Sequence, residues 1–223
     1  MKLHSVQLLS EDMDAENATA IKRVKAKLAD LRRLDSACAL FGASTHHYLL
    51  GSSLTVSELA VYEWRLGLPL PAEYRDFVME VGHGGAGPFY GLFPLDGSDP
   101  DDTTDLEQVK KPFRWTEATN PKHWQSPNAE DGVWIDDDVS DGETSRVFLN
   151  VPGALYLCHY GCALRFFLVI NGLGLGEVWM DRQADDEGIV PERGEDGGTV
   201  GFLQWYEKWL DDGISTLTEP MPE

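Results

Sequence analysis

The sequence predicts a single domain that combines helices with a β region. Apolar residues recur at steps of three and four in residues 19–35 and again in 199–210, which is the period of a helix with one buried face. Residues 147–181 instead contain short, strongly apolar runs separated by glycine-containing turns, which is typical of strands. No internal repeat or long low-complexity linker divides the 223 residues, so we expect one domain.

Two further helices are predicted between residues 55 and 81. Thr55 and Glu58 have the spacing of a capping box, in which two side chains satisfy free backbone N–H groups at the start of a helix. Pro71 suits the first turn of the second of these helices. For the C-terminal helix we expect an end at residues 211–213, where a glycine follows two aspartates.

The β region is expected to supply the sheet. Residues 154–160 form one predicted strand, residues 163–170 a nearly continuous apolar strand covered on both faces, and residues 177–181 a returning strand. The pair Asn171-Gly172 lies between the last two strands and is typical of a tight hairpin turn. These two strands are therefore expected to pair as a hairpin.

The charge of the chain argues against two classes of partner. Asp and Glu number 38 against 18 Lys and Arg, so the net charge is −20. Nucleic acids and anionic membranes are both bound through basic surfaces, so we predict that this protein binds neither. Most of the acidic excess lies in residues 96–143, with a net charge of −10, and in residues 181–223, with −9.

The location of the protein is predicted from the same composition. No run approaches the ~20 apolar residues of a membrane span, and the first residues have no signal-peptide pattern. The cysteines number only three, which is not a disulfide framework. We therefore expect a cytoplasmic protein.

Searches for catalytic and metal-binding patterns are negative. Cys158 and Cys162 have the wrong spacing for a zinc site, and the acidic run 137–142 has Val139 where a calcium ligand belongs. The glycine-rich segment 82–97 lacks the lysine of a phosphate-binding loop, and the chain has no Gly-x-Ser-x-Gly nucleophile motif. We predict no catalytic residue, no metal site and no cofactor.

Several motifs in a fixed order carry a resemblance to a known family. They are Leu70-Pro71-x-x-Tyr74-Arg75-x-Phe77, Gly84-Gly85-Ala86-Gly87-Pro88-x-Tyr90-Gly91, Gly176-x-Val178-Trp179-x-Asp181 and Phe202-Leu203-x-Trp205-Tyr206. Across residues 55–95 and 153–212 the chain resembles the SUKH superfamily, in the branch named after yeast regulators of cell-wall glucan synthesis. The resemblance implies an α+β fold, with helices packed on a single, mostly antiparallel or mixed sheet. It also implies structural roles, in turns and core, for Gly85, Gly87, Pro88, Tyr90, Gly91, Trp179 and Trp205.

The same resemblance implies a domain organisation and a function. One SUKH-like domain would occupy residues 1–223, with an N-terminal helical extension at 1–54 and an acidic, loop-rich insertion at 96–145. Many bacterial members of such families are immunity proteins, which bind and neutralise a toxin, often a nuclease, whereas fungal relatives serve as interaction hubs. We therefore predict a non-catalytic domain that binds a cognate toxin. The toxin is expected to be basic, since acidic patches accelerate encounter with a cationic partner.

The candidate partner-binding residues are acidic and lie in the first of the two charged segments. They are Asp99, Asp101, Asp102, Asp136, Asp137, Asp138 and Asp141. The alternative for each is a surface charge that only confers solubility. Two other functions stay open, namely an adaptor in cell-wall or other signalling and a protein that uses the glycine-rich cleft near Tyr90 for a small ligand or for catalysis. The enzymatic class of the toxin and the oligomeric state are also left open.

Overall fold

The fold is built on an antiparallel sheet of four strands with helices on one face. The computed structural model describes residues 2–120, 133–135, 147–149 and 151–219. Its elements are α1 (Lys2–Leu34), α2 (Ala43–His46), α3 (Val56–Leu66), α4 (Ala72–Glu80), α5 (Leu106–Val109), β1 (Val133–Ile135), β2 (Val147–Leu149), β3 (Ala154–Gly161), β4 (Leu164–Val169), β5 (Val178–Arg182), β6 (Gly188–Pro191) and α6 (Phe202–Thr218). Strands β3 to β6 pair in chain order, and β1 pairs separately with β2. The predicted α+β class, with helices packed against the sheet, is confirmed.

Both faces of the sheet are covered, which explains why β4 is apolar at every position except Arg165. Phe166 and Leu168 pack with the helices, whereas Phe167 belongs to a second cluster on the opposite face. That second face is covered by Phe113, from the segment after α5, whose ring centroid lies 4.9 Å from that of Trp179. Because successive strand residues point to opposite faces, only a doubly covered strand buries all of them.

Local signals fix the helix α3 as predicted. The Thr55 side chain accepts a hydrogen bond from the backbone N–H of Glu58 at 3.3 Å, and the Glu58 carboxylate accepts one from the backbone N–H of Thr55 at 2.8 Å. The capping box is therefore present in full. The next helix, α4, begins directly after Pro71.

The C-terminal helix is longer than predicted. We expected it to end at residues 211–213, which is wrong, since α6 continues to Thr218. Gly213 lies where α6 packs against α1, and a Cβ atom at this position would lie 3.0 Å from Cδ1 of Leu31. The glycine therefore serves close helix packing rather than helix termination.

Charged side chains join the same two helices. Arg23 of α1 donates two hydrogen bonds to the carboxylate of Glu207 of α6, at 2.7 and 2.8 Å. Lys27 donates to Glu207 at 2.8 Å and to Asp211 at 2.7 Å. The hydrogen bonds from Arg23 and Lys27 outweigh the effect of burial and lower the pKa of Glu207 to about 2. Two basic side chains of α1 are thus paired with acidic side chains of α6.

The predicted tight turn at Asn171-Gly172 is not formed, although β4 and β5 do pair as a hairpin. Their connection spans residues 170–177. The backbone of Phe113 docks onto this loop, with its N–H donating to the carbonyl of Asn171 at 2.8 Å and its carbonyl accepting from Leu173 at 2.8 Å. The loop is longer than two residues because it also holds the segment that covers the second face of the sheet.

Candidate functional site

Four aromatic side chains form an exposed ridge beside the glycine-rich segment. Phe41, Phe89, Tyr90 and Tyr160 make up this aromatic ridge. The ring centroids of Phe41 and Tyr90 are 5.2 Å apart, and those of Phe89 and Tyr160 are 4.5 Å apart. Phe41 is 61% exposed and Tyr160 is 41% exposed. Large aromatic side chains supply much of the binding energy at protein interfaces, so the ridge is a candidate contact surface.

The backbone of the ridge is held by a close contact between two loops. Gly42 has a left-handed φ of +76°, and a Cβ atom there would collide with the carbonyl of Phe89. Phe89 itself has φ of +57°, a region that costs a residue with a side chain about 1 kcal/mol or more. This conformation places Phe89 and Tyr90 on opposite sides of the ridge, where they line two different depressions.

A buried carboxylate anchors the loop that carries Phe41. Asp35 accepts hydrogen bonds from the backbone N–H groups of Ala39 at 2.7 Å and Leu40 at 3.0 Å, and from the hydroxyl of Tyr48 at 2.6 Å. Burial raises the pKa of Asp35, but these hydrogen bonds outweigh it and the net shift is downward. The ionised carboxylate therefore fixes both ends of the loop.

A depression of about 460 Å³, the glycine cleft, lies on the Tyr90 side of the ridge. The residues that line it include three glycines and several polar or aromatic residues, namely Gly84, Gly85, Gly91, His46, His83, Tyr90, Asp99, Asp101 and His159. The ring of His159 is nearly parallel to those of Tyr90 and Phe93, with centroids 4.5 and 6.1 Å away. Its Nε2 atom lies 3.7 Å from Oδ2 of Asp101. The cleft thus brings together carboxylates, imidazoles and aromatic rings.

The other two histidines of the cleft differ in their hydrogen bonding. Nδ1 of His46 accepts a hydrogen bond from the backbone N–H of Tyr48 at 3.0 Å. Burial, followed by electrostatic repulsion from His47, lowers the pKa of His46, which favours the neutral ring that accepts this hydrogen bond. Nδ1 of His83 is buried and has no hydrogen-bond partner among the described residues. An unsatisfied buried nitrogen is costly, and a ligand in the cleft would relieve that cost.

The structure separates the predicted aspartates. Asp99 and Asp101 both line the glycine cleft. Asp102 instead lines a smaller pocket of about 160 Å³ and accepts a hydrogen bond from the backbone N–H of Thr104 at 2.9 Å. Burial raises the pKa of Asp102. The remaining predicted residues lie outside the described part of the chain, and they are Asp136, Asp137, Asp138 and Asp141.

Comparison with known proteins identifies no relative of this chain. No protein-family model, no curated protein and no solved structure matches the chain. The resemblance to the SUKH superfamily therefore stays a prediction from the motifs.

The motif residues nevertheless have defined places in the fold. Gly85 and Gly91 line the glycine cleft with φ of +89° and +100°, and a Cβ atom at Gly87 would lie 2.7 Å from Cγ of Leu92. Pro88 is buried and lines the depression on the other side of the ridge. Trp179 and Trp205 are buried, each against a different face of the sheet.

The second depression, the helix groove, lies on the Phe89 side of the ridge and measures about 390 Å³. It runs between α6 and the two loops of the ridge. Its aromatic walls are Phe41, Phe89, Phe166, Trp205 and Trp209, and its polar groups are Glu192, Lys208, Asp212 and Thr216. The ridge therefore separates a polar cleft from an aromatic groove.

Sequence reasoning missed Phe41, His159, Tyr160 and Glu192. These residues come from three distant segments of the chain, and sequence reasoning assigned no functional role to any of them. The one relevant signal in the sequence was the glycine-rich segment, which predicted a cleft beside Tyr90.

Across the described ranges, no group of three or more His, Cys, Asp or Glu side chains is placed to hold a metal ion. No helix in those ranges is long and apolar enough to cross a membrane.

Proposed function

We propose that this protein is a cytoplasmic, non-catalytic binding domain of the immunity type, which binds and neutralises a basic toxin. The observation that carries the proposal is the exposed aromatic ridge beside the carboxylates of Asp99 and Asp101. Arginine, which is enriched at interfaces, stacks on aromatic rings and pairs with carboxylates. A basic partner would find both kinds of contact side by side on this surface.

The acidic side of this surface is available to a partner. Within the described residues, neither the Asp99 nor the Asp101 carboxylate forms an ion pair with Lys or Arg, and the imidazole of His159 lies 3.7 Å from the Asp101 carboxylate. The Arg165 guanidinium donates to the backbone carbonyl of Asp101 at 3.1 Å. Because neither carboxylate is held in an ion pair with Lys or Arg in the described part of the chain, both can contact a cationic partner. Such charges accelerate encounter with a cationic partner and select against acidic ones.

The test is co-expression of this chain with the product of the adjacent gene. We expect rescue of growth and a purified complex of the two proteins. Phe41→Ala should weaken the complex by about 2 kcal/mol, because it removes an exposed aromatic contact. Asp101→Asn should mainly slow association and reduce its dependence on salt.

Matched controls are Leu173→Ala and Asp196→Asn. Leu173 is 54% exposed but lies in the β4–β5 loop, at the end of the sheet opposite Tyr160. Equal effects of Phe41→Ala and Leu173→Ala would exclude the ridge as the interface. Absence of both rescue and complex would contradict the toxin-binding function. A bound partner that is not an enzyme would instead support the adaptor role.

A second candidate function is binding of a small ligand in the glycine cleft. It is supported by the buried, unsatisfied Nδ1 of His83 and by the Asp101–His159 pair that faces the same space. Free amino acids and nucleosides would be tested by thermal shift in the wild type and in His83→Phe. A compound that stabilises only the wild type would support this function, and a uniformly negative panel would count against it.

A further inference from the structure

We propose that the helix groove is a separate binding site for a small methylated ammonium compound of the choline type. The proposal is independent of toxin binding. It rests on the aromatic walls of the groove, on one carboxylate that makes no hydrogen bond or ion pair among the described residues, and on the small number of side-chain hydrogen-bond acceptors.

The walls of the groove contain several aromatic rings, of which Phe41 is exposed and Phe89 and Trp209 are half-buried, whereas Phe166 and Trp205 are buried at its base. Phe89 and Phe166 are stacked, with centroids 5.2 Å apart and an interplanar angle of 7°, and Phe166 lies 5.5 Å from Trp205. Phe41 forms the exposed outer wall, and Trp209 lines the side of α6. A volume of about 390 Å³ suits a small ligand. Aromatic ring faces attract organic cations, and quaternary ammonium groups are bound in this way.

Glu192 supplies the charge that selects a cation. It follows β6 directly, and its backbone N–H donates to the carbonyl of Val178 at 3.0 Å, which fixes its position. Within the described residues, its carboxylate makes no hydrogen bond and no ion pair. The ammonium of Lys208 lies 2.6 Å from the carboxylate of Asp212, so these two charges compensate each other. When ionised, Glu192 therefore leaves one uncompensated negative charge in the groove. Burial raises the pKa of the Glu192 carboxyl, and the nearby charge of Lys208 opposes this effect.

The polar groups of the groove favour a methylated cation over a primary ammonium or a guanidinium. Lysine carries three N–H donors and arginine five, and each donor needs an acceptor when it leaves water. Apart from Glu192, the side-chain acceptors of the groove are few, namely the Asp212 carboxylate, which is already paired with Lys208, and the lone pairs of the Thr216 hydroxyl, whose proton is donated to the Asp212 carbonyl. A quaternary ammonium has no N–H donor, so ring faces and one carboxylate satisfy it.

The test is a titration of the full chain with choline chloride and, in parallel, with 3,3-dimethylbutan-1-ol. This alcohol has the shape of choline with carbon in place of the charged nitrogen. Binding is followed by two-dimensional NMR of the indole N–H groups, with Trp209→Phe to assign one of the two indoles in the groove. We expect choline to bind with a dissociation constant on the order of 1 mM and the alcohol about tenfold more weakly.

Two variants isolate the carboxylate. Glu192→Gln should weaken choline binding about tenfold and leave binding of the alcohol unchanged, because only the charge is removed. Glu80→Gln, at the end of α4 and outside the groove, should change neither. Thermal unfolding verifies that both variants are folded. Growth rescue by Glu192→Gln should equal that of the wild type, so failure of the two proposals can be told apart.

Three outcomes would overturn the proposal. The first is equal affinity for choline and its uncharged analogue, and the second is no saturable shift of the indole signals up to about 50 mM choline. The third is tighter binding of phosphatidylcholine vesicles or of a trimethyl-lysine peptide than of choline, which would make the occupant a membrane or a protein.

Discussion

Replacement of Glu207 by Gln tests how strongly ionic contacts fix α1 to α6. The substitution keeps the shape of the side chain and removes its charge. A pKa of about 2, against an ordinary value of 4.5, corresponds to at most about 3–4 kcal/mol of stabilisation at pH 7. Arg23 is 51% exposed, so water screens part of this energy. We therefore expect Glu207→Gln to lower the free energy of unfolding by about 1–2 kcal/mol, measured by urea denaturation.

The same variant predicts a specific dependence on pH. A carboxylate with a lowered folded-state pKa contributes its full stabilisation above the unfolded-state value of 4.5, and the contribution is lost as the pH falls through about 2. The difference between wild type and Glu207→Gln should therefore be constant near pH 7 and narrow from about pH 5 toward about pH 2. Unfolding curves at several pH values measure this directly.

The matched control is Asp212→Asn on the same helix. Asp212 pairs with Lys208 at 2.6 Å, but both side chains are more than 60% exposed, at 64% and 61%. Such a pair contributes about 0.5 kcal/mol or less. If Glu207→Gln cost no more than Asp212→Asn, or if its cost did not change with pH, the interhelical contacts would not stabilise the fold as argued.

Two further predictions concern backbone and thiols. Gly172→Ala should lower the free energy of unfolding by about 3 kcal/mol or more, because its Cβ atom would collide with the backbone of Phe113 at a φ of +96°. Gly197→Ala has a φ of +78° but open space, so it should cost about 1 kcal/mol, and equal losses in the two variants would refute the collision. In a thiol-reagent assay of the folded protein, exposed Cys162 should react, whereas Cys158 should react only after unfolding, because it is fully buried and burial raises its pKa. Similar rates for the two thiols would contradict this assignment.

Structural elements that depend on residues close together in the sequence were predicted correctly. Features that depend on contacts between residues far apart in the sequence were not. The capping box of α3 depends on Thr55 and Glu58 alone, so it was visible in the sequence. The end of α6 was not, because Gly213 serves a contact with Leu31, almost the whole chain away. The loop at Gly172 was predicted too short for the same reason, since the backbone of Phe113 determines its course.

The candidate site was predictable only in part. The high negative charge of residues 96–143 predicted Asp99 and Asp101 as binding residues, and the glycine-rich segment predicted a cleft near Tyr90. Nothing in the sequence indicates that Asp101 meets His159, because β3 and the acidic segment are brought together only by the tertiary fold. Glu192 was one of many acidic residues, and it stands out only because its neighbours in space are aromatic.

The aromatic ridge exists only in the folded protein, which limits the peptides and antibodies that could reproduce or detect it. Its rings come from a loop after α1, from the glycine-rich segment and from the end of β3, and they meet only when all three are folded. No peptide cut from this chain would therefore reproduce the surface, and a linear-epitope antibody would not report on it. A ligand selected against the ridge would bind only folded chains, which would make it a probe of native protein in a mixture.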